Sequence, residues 1–318
     1  MDTVTALRES PIILTEGALI ERLRRDPAVS LEPHALHAGF VYDEGGRRAL
    51  RGLYRQYLDI GLAADLPMIV CTPTWRANPV RLRQAGLAGR DVNGDGARFV
   101  AAIRDEYGAY ARRVFLGGLL GCAGDAYKPE EGLPADEAAR FHGVQATALA
   151  TAGVDFLFAA TLPSTDEALG MARAMAACRI PYVVSFVLQR DGRLLDRIPL
   201  HQAVATIDAA ASPRPLFYMA NCVHPRVFEA ALAPEISRSR SVHERVIGLQ
   251  ANTSMRSPDE LDGRGEVDPG DGPEALANAM LRLRRRFGTR VLGGCCGTDD
   301  RHIAWIARRA QESVRPIL

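Results

Sequence analysis

A chain of 318 residues with a formal net charge of +1 has no electrostatic field with which to gather nucleic acid or an anionic membrane surface. Hydrophobic residues make up 47% and charged residues 24%, the balance of a globular protein with a sizeable core. No apolar run approaches the ~20 residues needed to cross a bilayer, and residues 1–10 carry acids but no apolar stretch, so neither a span nor a secretory signal is expected and the expected compartment is the cytoplasm.

Taken in chain order, short β-rich apolar runs alternate with longer amphipathic stretches. Strands are expected at 11–14, 67–71, 114–120, 154–159, 181–187, 216–220, 245–250 and 290–293. None shows clean polar alternation, which is how strands buried on both faces read. Helical patterns lie between them, among others at 97–111, 136–152, 165–177, 200–211, 273–287 and 299–311. Several carry start signals: Ser164 or Thr165 ahead of Asp166 and Glu167, Pro273 before Glu274, and Thr298 ahead of Asp299 and Asp300. The arginines within 22–25 and 282–286 fall on helices and read as solvated faces.

Eight strands, each followed by helical sequence, are what a closed (β/α)8 barrel requires, and one such barrel accounts for residues 1–318 as a single catalytic domain. A doubly wound open sheet would show a glycine-rich phosphate turn after its first strand, and no G-x-G-x-x-G stands there. Two segments, 77–96 and 255–272, read as long loops over the C-terminal ends of the strands, either mobile surface or lids.

In a reducing compartment the six cysteines are core residues, metal ligands or catalytic thiols before they are disulfides. Cys295 and Cys296 are the sharpest signal, framed by glycines in Gly293-Gly294-Cys295-Cys296-Gly297-Thr298 at the end of the eighth strand. The glycines let the backbone turn tightly enough for both sulfurs to approach one point. Zn²⁺ takes thiolates tetrahedrally at about 2.3 Å, whereas a disulfide between adjacent residues is strained. Cys222, in Asn221-Cys222 at the end of the sixth strand, is the candidate third ligand, because all strand ends of a barrel face one mouth. Three thiolates with an open fourth position are the pattern of catalytic zinc. Cys71, Cys122 and Cys178 read as small buried hydrophobes, and His224, directly before Pro225, as a helix entry rather than a fourth ligand.

At these residues the chain resembles the homocysteine S-methyltransferase family. GGCCGT at 293–298 and NC at 221–222 carry the resemblance; TEGALIERL at 15–23, TPTW at 72–75 and FHGVQATALATAGVDFLF at 141–158 extend it over almost the whole chain. The resemblance implies zinc held by Cys222, Cys295 and Cys296, with the substrate thiol as thiolate in the fourth position. It also implies a substrate-binding wall at Glu16, Gly17, Thr72, Thr74, Asn221 and Gly294. The implied reaction methylates homocysteine or a related thiol, a step of methionine biosynthesis. Four thiolates on zinc leave a formal charge of −2, which attracts a cationic sulfonium or quaternary ammonium donor. Trp75 or Tyr127 could stack on such a cation. No corrinoid or folate domain is expected beside the barrel, so the methyl donor diffuses in or is presented by a partner such as a corrinoid protein.

Two departures bear on the substrate. The family's Asp-Gly-Gly after the first strand is Glu16-Gly17-Ala18 here, one methylene longer. Its Phe-Glu-Thr after the fourth strand is Ala159-Ala160-Thr161, which removes a carboxylate partner for the amino group, and the Asn of its Thr-Asn-Thr is Pro73. Losing a charged partner in a desolvated site costs several kcal/mol, so a thiol without an α-amino group is an alternative acceptor. A zinc- or thiol-binding barrel without turnover is the alternative of another class.

Overall fold

The computed structural model describes residues 3–233, 241–256, 260, 268 and 270–314. Eight parallel strands close into a barrel in sequence order: β1 (Ile13–Thr15), β2 (Met68–Cys71), β3 (Val114–Leu120), β4 (Phe156–Leu162), β5 (Tyr182–Phe186), β6 (Phe217–Val223), β7 (Val246–Ala251) and β8 (Val291–Gly294). The last strand pairs with the first through Ile13 beside Val291 and Leu14 beside Leu292. This is the expected (β/α)8 barrel, with every expected strand within a few residues of its place.

Alternate residues of each strand point inward and outward. Ile13, Ile69, Phe115, Phe156, Phe158, Val183, Phe217, Met219 and Val291 belong to the inner cluster, whereas Leu14, Val70, Leu116, Leu157, Val184, Tyr218 and Leu292 pack outward with the helices. Both sets are apolar, so the strands read as continuous apolar runs. A helix at Thr3–Glu9 adds Ala6 and Leu7 to the inner cluster. The Arg290 guanidinium, just ahead of β8, donates to the carbonyls of Leu7 (2.9 Å) and Ser10 (3.0 Å) and fastens this helix at the end where strands begin.

Two helices follow the expected bounds residue for residue, Thr165–Ala177 and Pro273–Phe287. The segment 77–96 departs from expectation. It is no open loop: Asn78 caps a helix at Pro79–Gln84, and Asp91 caps a longer one at Val92–Asp105 that begins before the expected residue 97. Ala77, Leu82 and Val92 pack against Ala35 and Ala38 in a satellite core. Asn-Pro at 78–79 was a legible start signal; the glycines at 94 and 96 masked the second helix. Of 255–272, residues 257–259, 261–267 and 269 lie outside the described residues, and so does the proposed lid.

The longest helix among the described residues, Glu44–Ala63, was expected only as helical sequence after the first strand, without bounds, because its arginine-rich outer face dilutes the pattern. Its inner face buries Leu50, Tyr54, Tyr57, Leu58 and Gly61 at helical spacing, each large side chain contributing on the order of 2 kcal/mol. The Tyr54 hydroxyl donates to the Cys71 carbonyl (2.6 Å) and the Tyr57 hydroxyl to that of Ala18 (3.0 Å), so the polar ends are satisfied at the ends of β2 and β1. Among the described residues no helix is long and apolar enough to cross a membrane.

Gly61 tests the tightness of this packing. Alanine ordinarily stabilises a helix interior by about 1 kcal/mol over glycine, but a Cβ here collides with the Tyr110 hydroxyl, which donates to Leu66 at 2.7 Å. Gly61→Ala is therefore expected to destabilise by about 1–3 kcal/mol, read from the denaturant midpoint; a stabilised variant would show that the helix sits further from β2 and β3.

Candidate thiol centre at the barrel mouth

The mouth gathers residues from the C-terminal ends of the strands: Glu16 after β1, Cys71 and Thr72 at β2, Leu119 on β3, Ala160 and Thr161 on β4, Asn221 and Cys222 on β6, Gln250 on β7, and Gly294, Cys295 and Cys296 at β8. They line one cavity of about 940 Å³. Within it the sulfurs of Cys222, Cys295 and Cys296 all lie within 4.8 Å of one another, with Cys222 and Cys296 3.3 Å apart. Among the described residues this is the only such group of His, Cys, Asp or Glu side chains.

Local backbone explains how two distant segments converge. Cys222 sits at φ +57° and Thr161 at φ +62°, left-handed conformations that cost a non-glycine residue on the order of 1–3 kcal/mol. The Asn221 side chain holds both turns. Its Oδ1 accepts from the Thr161 amide (2.8 Å) and the Ser185 hydroxyl (2.7 Å), and its Nδ2 donates to the Thr161 hydroxyl (2.5 Å). Asn221 thus clamps β4, β5 and β6 together beside the first sulfur. Its amide is spent on protein partners, so it positions Cys222 while lining the cavity.

On the other side, the Cys295 amide donates to Ala251 (2.7 Å) and the Cys296 carbonyl accepts from Thr253 (3.3 Å), which tie the cysteine pair to the end of β7. Gly297 turns the chain at φ +80°, and its amide donates to the Glu21 carboxylate. The Thr298 hydroxyl donates to the Cys295 carbonyl (2.6 Å) and packs so closely on Gly294 that a Cβ there would overlap it. Position 294 is therefore glycine for reasons of space.

Three thiols this close cannot ionise independently. Hydrogen bonds from Cys295 and Cys296 hold the Cys222 thiol well below its usual range, and the same contacts with Cys222 push Cys295 and Cys296 up. All three become thiolates together only beside a cation. Sulfurs on a tetrahedral thiolate site with metal–sulfur bonds of about 2.3 Å stand roughly 3.8 Å apart, so the donor set and its spacing fit a soft divalent metal.

The Tyr127 hydroxyl lies 3.4 Å from the Cys222 sulfur, and burial keeps it protonated, so it can donate to that sulfur when Cys222 is a thiolate. The sequence had offered Tyr127 only as a stacking partner. Trp75 also lines the cavity, its indole N–H donating to the Ala160 carbonyl (3.2 Å). Gln250 was missed; it donates to the Thr15 hydroxyl (3.1 Å) and faces the cavity. A polar residue ending an otherwise apolar strand was the available signal.

The remaining expected residues divide. Glu16, Gly17, Thr72 and Gly294 line the cavity. Thr74 does not: its hydroxyl donates to the Leu119 carbonyl (2.7 Å) and meets that of Thr72 at 2.6 Å, while the Leu119 amide donates to Thr72 (2.9 Å). This small network joins β2 to β3 in place of contacting a ligand. His224 caps Pro225–Leu232 and accepts from the Arg226 amide (3.2 Å), the expected helix-entry role. Cys122 and Cys178 donate to nearby carbonyls at 3.5 Å, outside the thiol cluster. Cys71 is buried as expected but faces the cavity beside Glu16, and burial together with that carboxylate pushes its thiol up.

A closed parallel barrel that brings two strand ends together as a three-thiol centre defines the class. The chain belongs to the homocysteine S-methyltransferase family, whose model matches residues 13–310. It is 26% identical over 217 residues to the homocysteine S-methyltransferase of Escherichia coli (strain K12), a match covering 68% of this chain and 64% of that protein. To homocysteine S-methyltransferase 4 of Zea mays it is 25% identical over 218 residues, 67% of this chain and 59% of that protein. The chain thus spans less than two thirds of either relative. Betaine–homocysteine S-methyltransferase 1 of Bos taurus aligns over 95% of this chain and 72% of its own length at 23% identity. The crystal structure of the Escherichia coli homocysteine methyltransferase MmuM in its oxidized form shares the fold with a TM-score of 0.75 at 22% identity, covering 95% of this chain and 97% of that one.

Glu16 supplies a pH prediction. Burial pushes its carboxyl up from 4.5 to about 7, against hydrogen bonds that include the Cys71 amide at 3.1 Å. The fold therefore holds this proton more tightly than the unfolded chain does. Its stabilising effect is full below about pH 4.5 and lost as pH rises through about 7. Relative to Glu16→Gln, the wild type is expected to lose up to about 3 kcal/mol between pH 5 and 8. Denaturant unfolding across that range checks it, and parallel pH profiles would show that Glu16 is solvated.

Proposed function

We propose that the protein is a zinc-dependent S-methyltransferase whose acceptor is homocysteine or a related thiol. The observation that carries this reading is the convergence of Cys222, Cys295 and Cys296 in a cavity large enough for a thiol and a methyl donor together. Cys222, Cys295 and Cys296 would hold the zinc, which when bound supplies the positive charge that keeps a substrate thiol ionised at neutral pH. Three soft sulfur donors favour zinc over harder cations, and a metallated form of the Escherichia coli homocysteine methyltransferase MmuM supports a metal here.

The protein's own groups orient the reaction. The Tyr127 hydroxyl, donating to Cys222, damps the charge of one thiolate and fixes its direction. Trp75 and Tyr127 present aromatic surface on which a sulfonium or quaternary ammonium donor can rest. In methyl transfer the thiolate sulfur bonds to the methyl carbon while the donor's bond to that carbon breaks, its electron pair staying on the donor. A cationic donor leaves neutral, so no proton is needed on the leaving group.

Substrate choice turns on two wall positions. Glu16 Oε1 accepts from the Cys71 amide, but Oε2 is buried without a partner, a vacant acceptor for a substrate ammonium group. Ala160, buried on the same cavity wall, offers no second carboxylate. Homocysteine would thus be held by one carboxylate, and a thiol lacking the α-amino group is the second reading that Ala160 favours.

Cys222→Ala and Cys295→Ala are each expected to lose most bound zinc, because two thiolates do not complete the site; metal analysis of purified protein decides, and stoichiometric zinc in either variant would overturn the ligand set. Ala160→Glu is expected to tighten homocysteine binding roughly tenfold through a charge-assisted hydrogen bond, measured by calorimetry on the zinc-loaded protein. Weaker binding would mean that the wall is shaped for an amine-free thiol.

A further inference from the structure

The wall of the cavity formed by the segment after β2 carries two guanidinium groups that the reading above does not use. Arg76 is 9% exposed; its Nη1 donates to the carbonyls of Cys122 (3.2 Å) and Gly124 (2.6 Å), and its guanidinium lies 4.1 Å over the Trp75 ring. Arg81, half-buried, donates to the carbonyls of His34 (3.4 Å), Ala123 (3.3 Å) and Gly124 (3.3 Å), and its Nε is buried without a partner. Both line the cavity. Among the described residues neither lies within 4.0 Å of a carboxylate, in a chain whose other arginines form many ion pairs.

Neutral carbonyls satisfy N–H groups but place no opposing charge in contact with them. Two adjacent guanidiniums at the edge of a low-dielectric cavity repel each other, and burial together with Arg76 holds Arg81 below its usual range. The nearest carboxylates, Asp125 and Glu131, line the same cavity and attract Arg81 without touching it: Asp125 accepts from the Tyr127 amide (2.9 Å), and Glu131 accepts from the Asp125 amide (2.9 Å) with Lys128 at 3.4 Å. His37, 3% exposed, lines the same cavity; its Nδ1 has no partner, and burial keeps its ring neutral at pH 7. The wall therefore combines two guanidiniums that touch no carboxylate with a buried neutral imidazole, all three residues lining the cavity that holds the thiol centre.

We propose that Arg76 and Arg81 form an anion subsite that takes a carboxylate or similar oxyanion of one of the two substrates, the acceptor thiol or the methyl donor. The subsite takes from the function proposed above only the identity of those two ligands. It gives the cavity a polarity that suits such molecules, with the sulfur or methyl group toward Cys222 and the anionic end toward the arginines. An amine-free thiol acid then binds through its acid group, which compensates for the carboxylate absent at Ala160.

The test is calorimetric binding to the zinc-loaded protein with two pairs of probes. One pair is 3-mercaptopropionate and its neutral methyl ester; the other is dimethylsulfoniopropionate and trimethylsulfonium. The wild type is expected to prefer the acid about tenfold or more in one pair, the thiol pair if the acceptor carries the anion and the sulfonium pair if the donor does. Arg81→Gln is expected to reduce that preference to near unity and Arg81→Lys to retain most of it, with circular dichroism confirming the fold; Arg76→Gln is the second variant. No preference in either pair, or a preference that survives Arg81→Gln and Arg76→Gln, would overturn the subsite. Methyl transfer between the probes is followed separately: turnover without acid preference removes the subsite alone, and acid preference without turnover leaves the subsite and removes the proposed function.

Discussion

Three thiols within 4.8 Å of one another cannot all carry charge unless a cation joins them, and the architecture of the mouth follows from that constraint. Without a cation the protons distribute unevenly, with Cys222 the preferred thiolate and its two neighbours the donors. The arrangement is unfavourable as packing and favourable as a ligand set. A fold that holds it must be rigid enough to keep the sulfurs from drifting apart.

That rigidity comes from the barrel and from a few polar ties at its rim. Barrel closure places the ends of β6 and β8 on one face, with only β7 between them. The Asn221 amide then fixes the left-handed turns at Thr161 and Cys222, and the Thr298 hydroxyl fixes the turn that carries Cys295. The Asn221 hydrogen bonds are buried, so each would leave an unsatisfied group if broken. The strain at two non-glycine positions with positive φ is held by the surrounding network, and it aims one sulfur at the other two.

Around this centre the cavity wall is polar in an uneven way. Glu16 offers one unpartnered buried oxygen, Ala160 offers none, and the arginines at 76 and 81 face the same space without an acidic partner. A three-thiol centre, aromatic side chains and two guanidiniums thus line one cavity. The acid–amine pattern implied by the family resemblance is only half present, and the polarity that replaces it lies on a different strand's loop.

Residue pattern alone was enough for the barrel and for the meeting of the three cysteines at its mouth. Apolar runs without alternation required strands covered on both faces, and eight of them with helices between required closure. Paired cysteines between glycines at a strand end have little use other than at a metal, and a third cysteine at another strand end had to reach the same mouth. Other features had no local signature. The helix Glu44–Ala63 is held by the fit of its tyrosines against β1 and β2, and the helix from Val92 by its cap and satellite core, whatever its glycines disfavour. That Thr74 ties strands while Gln250 faces the cavity, that the Tyr127 hydroxyl meets the Cys222 sulfur, and that Arg76 and Arg81 line the cavity without touching a carboxylate are relations between segments far apart in the chain. They depend on which way a side chain points once the barrel has closed, and on which polar groups burial has left without water.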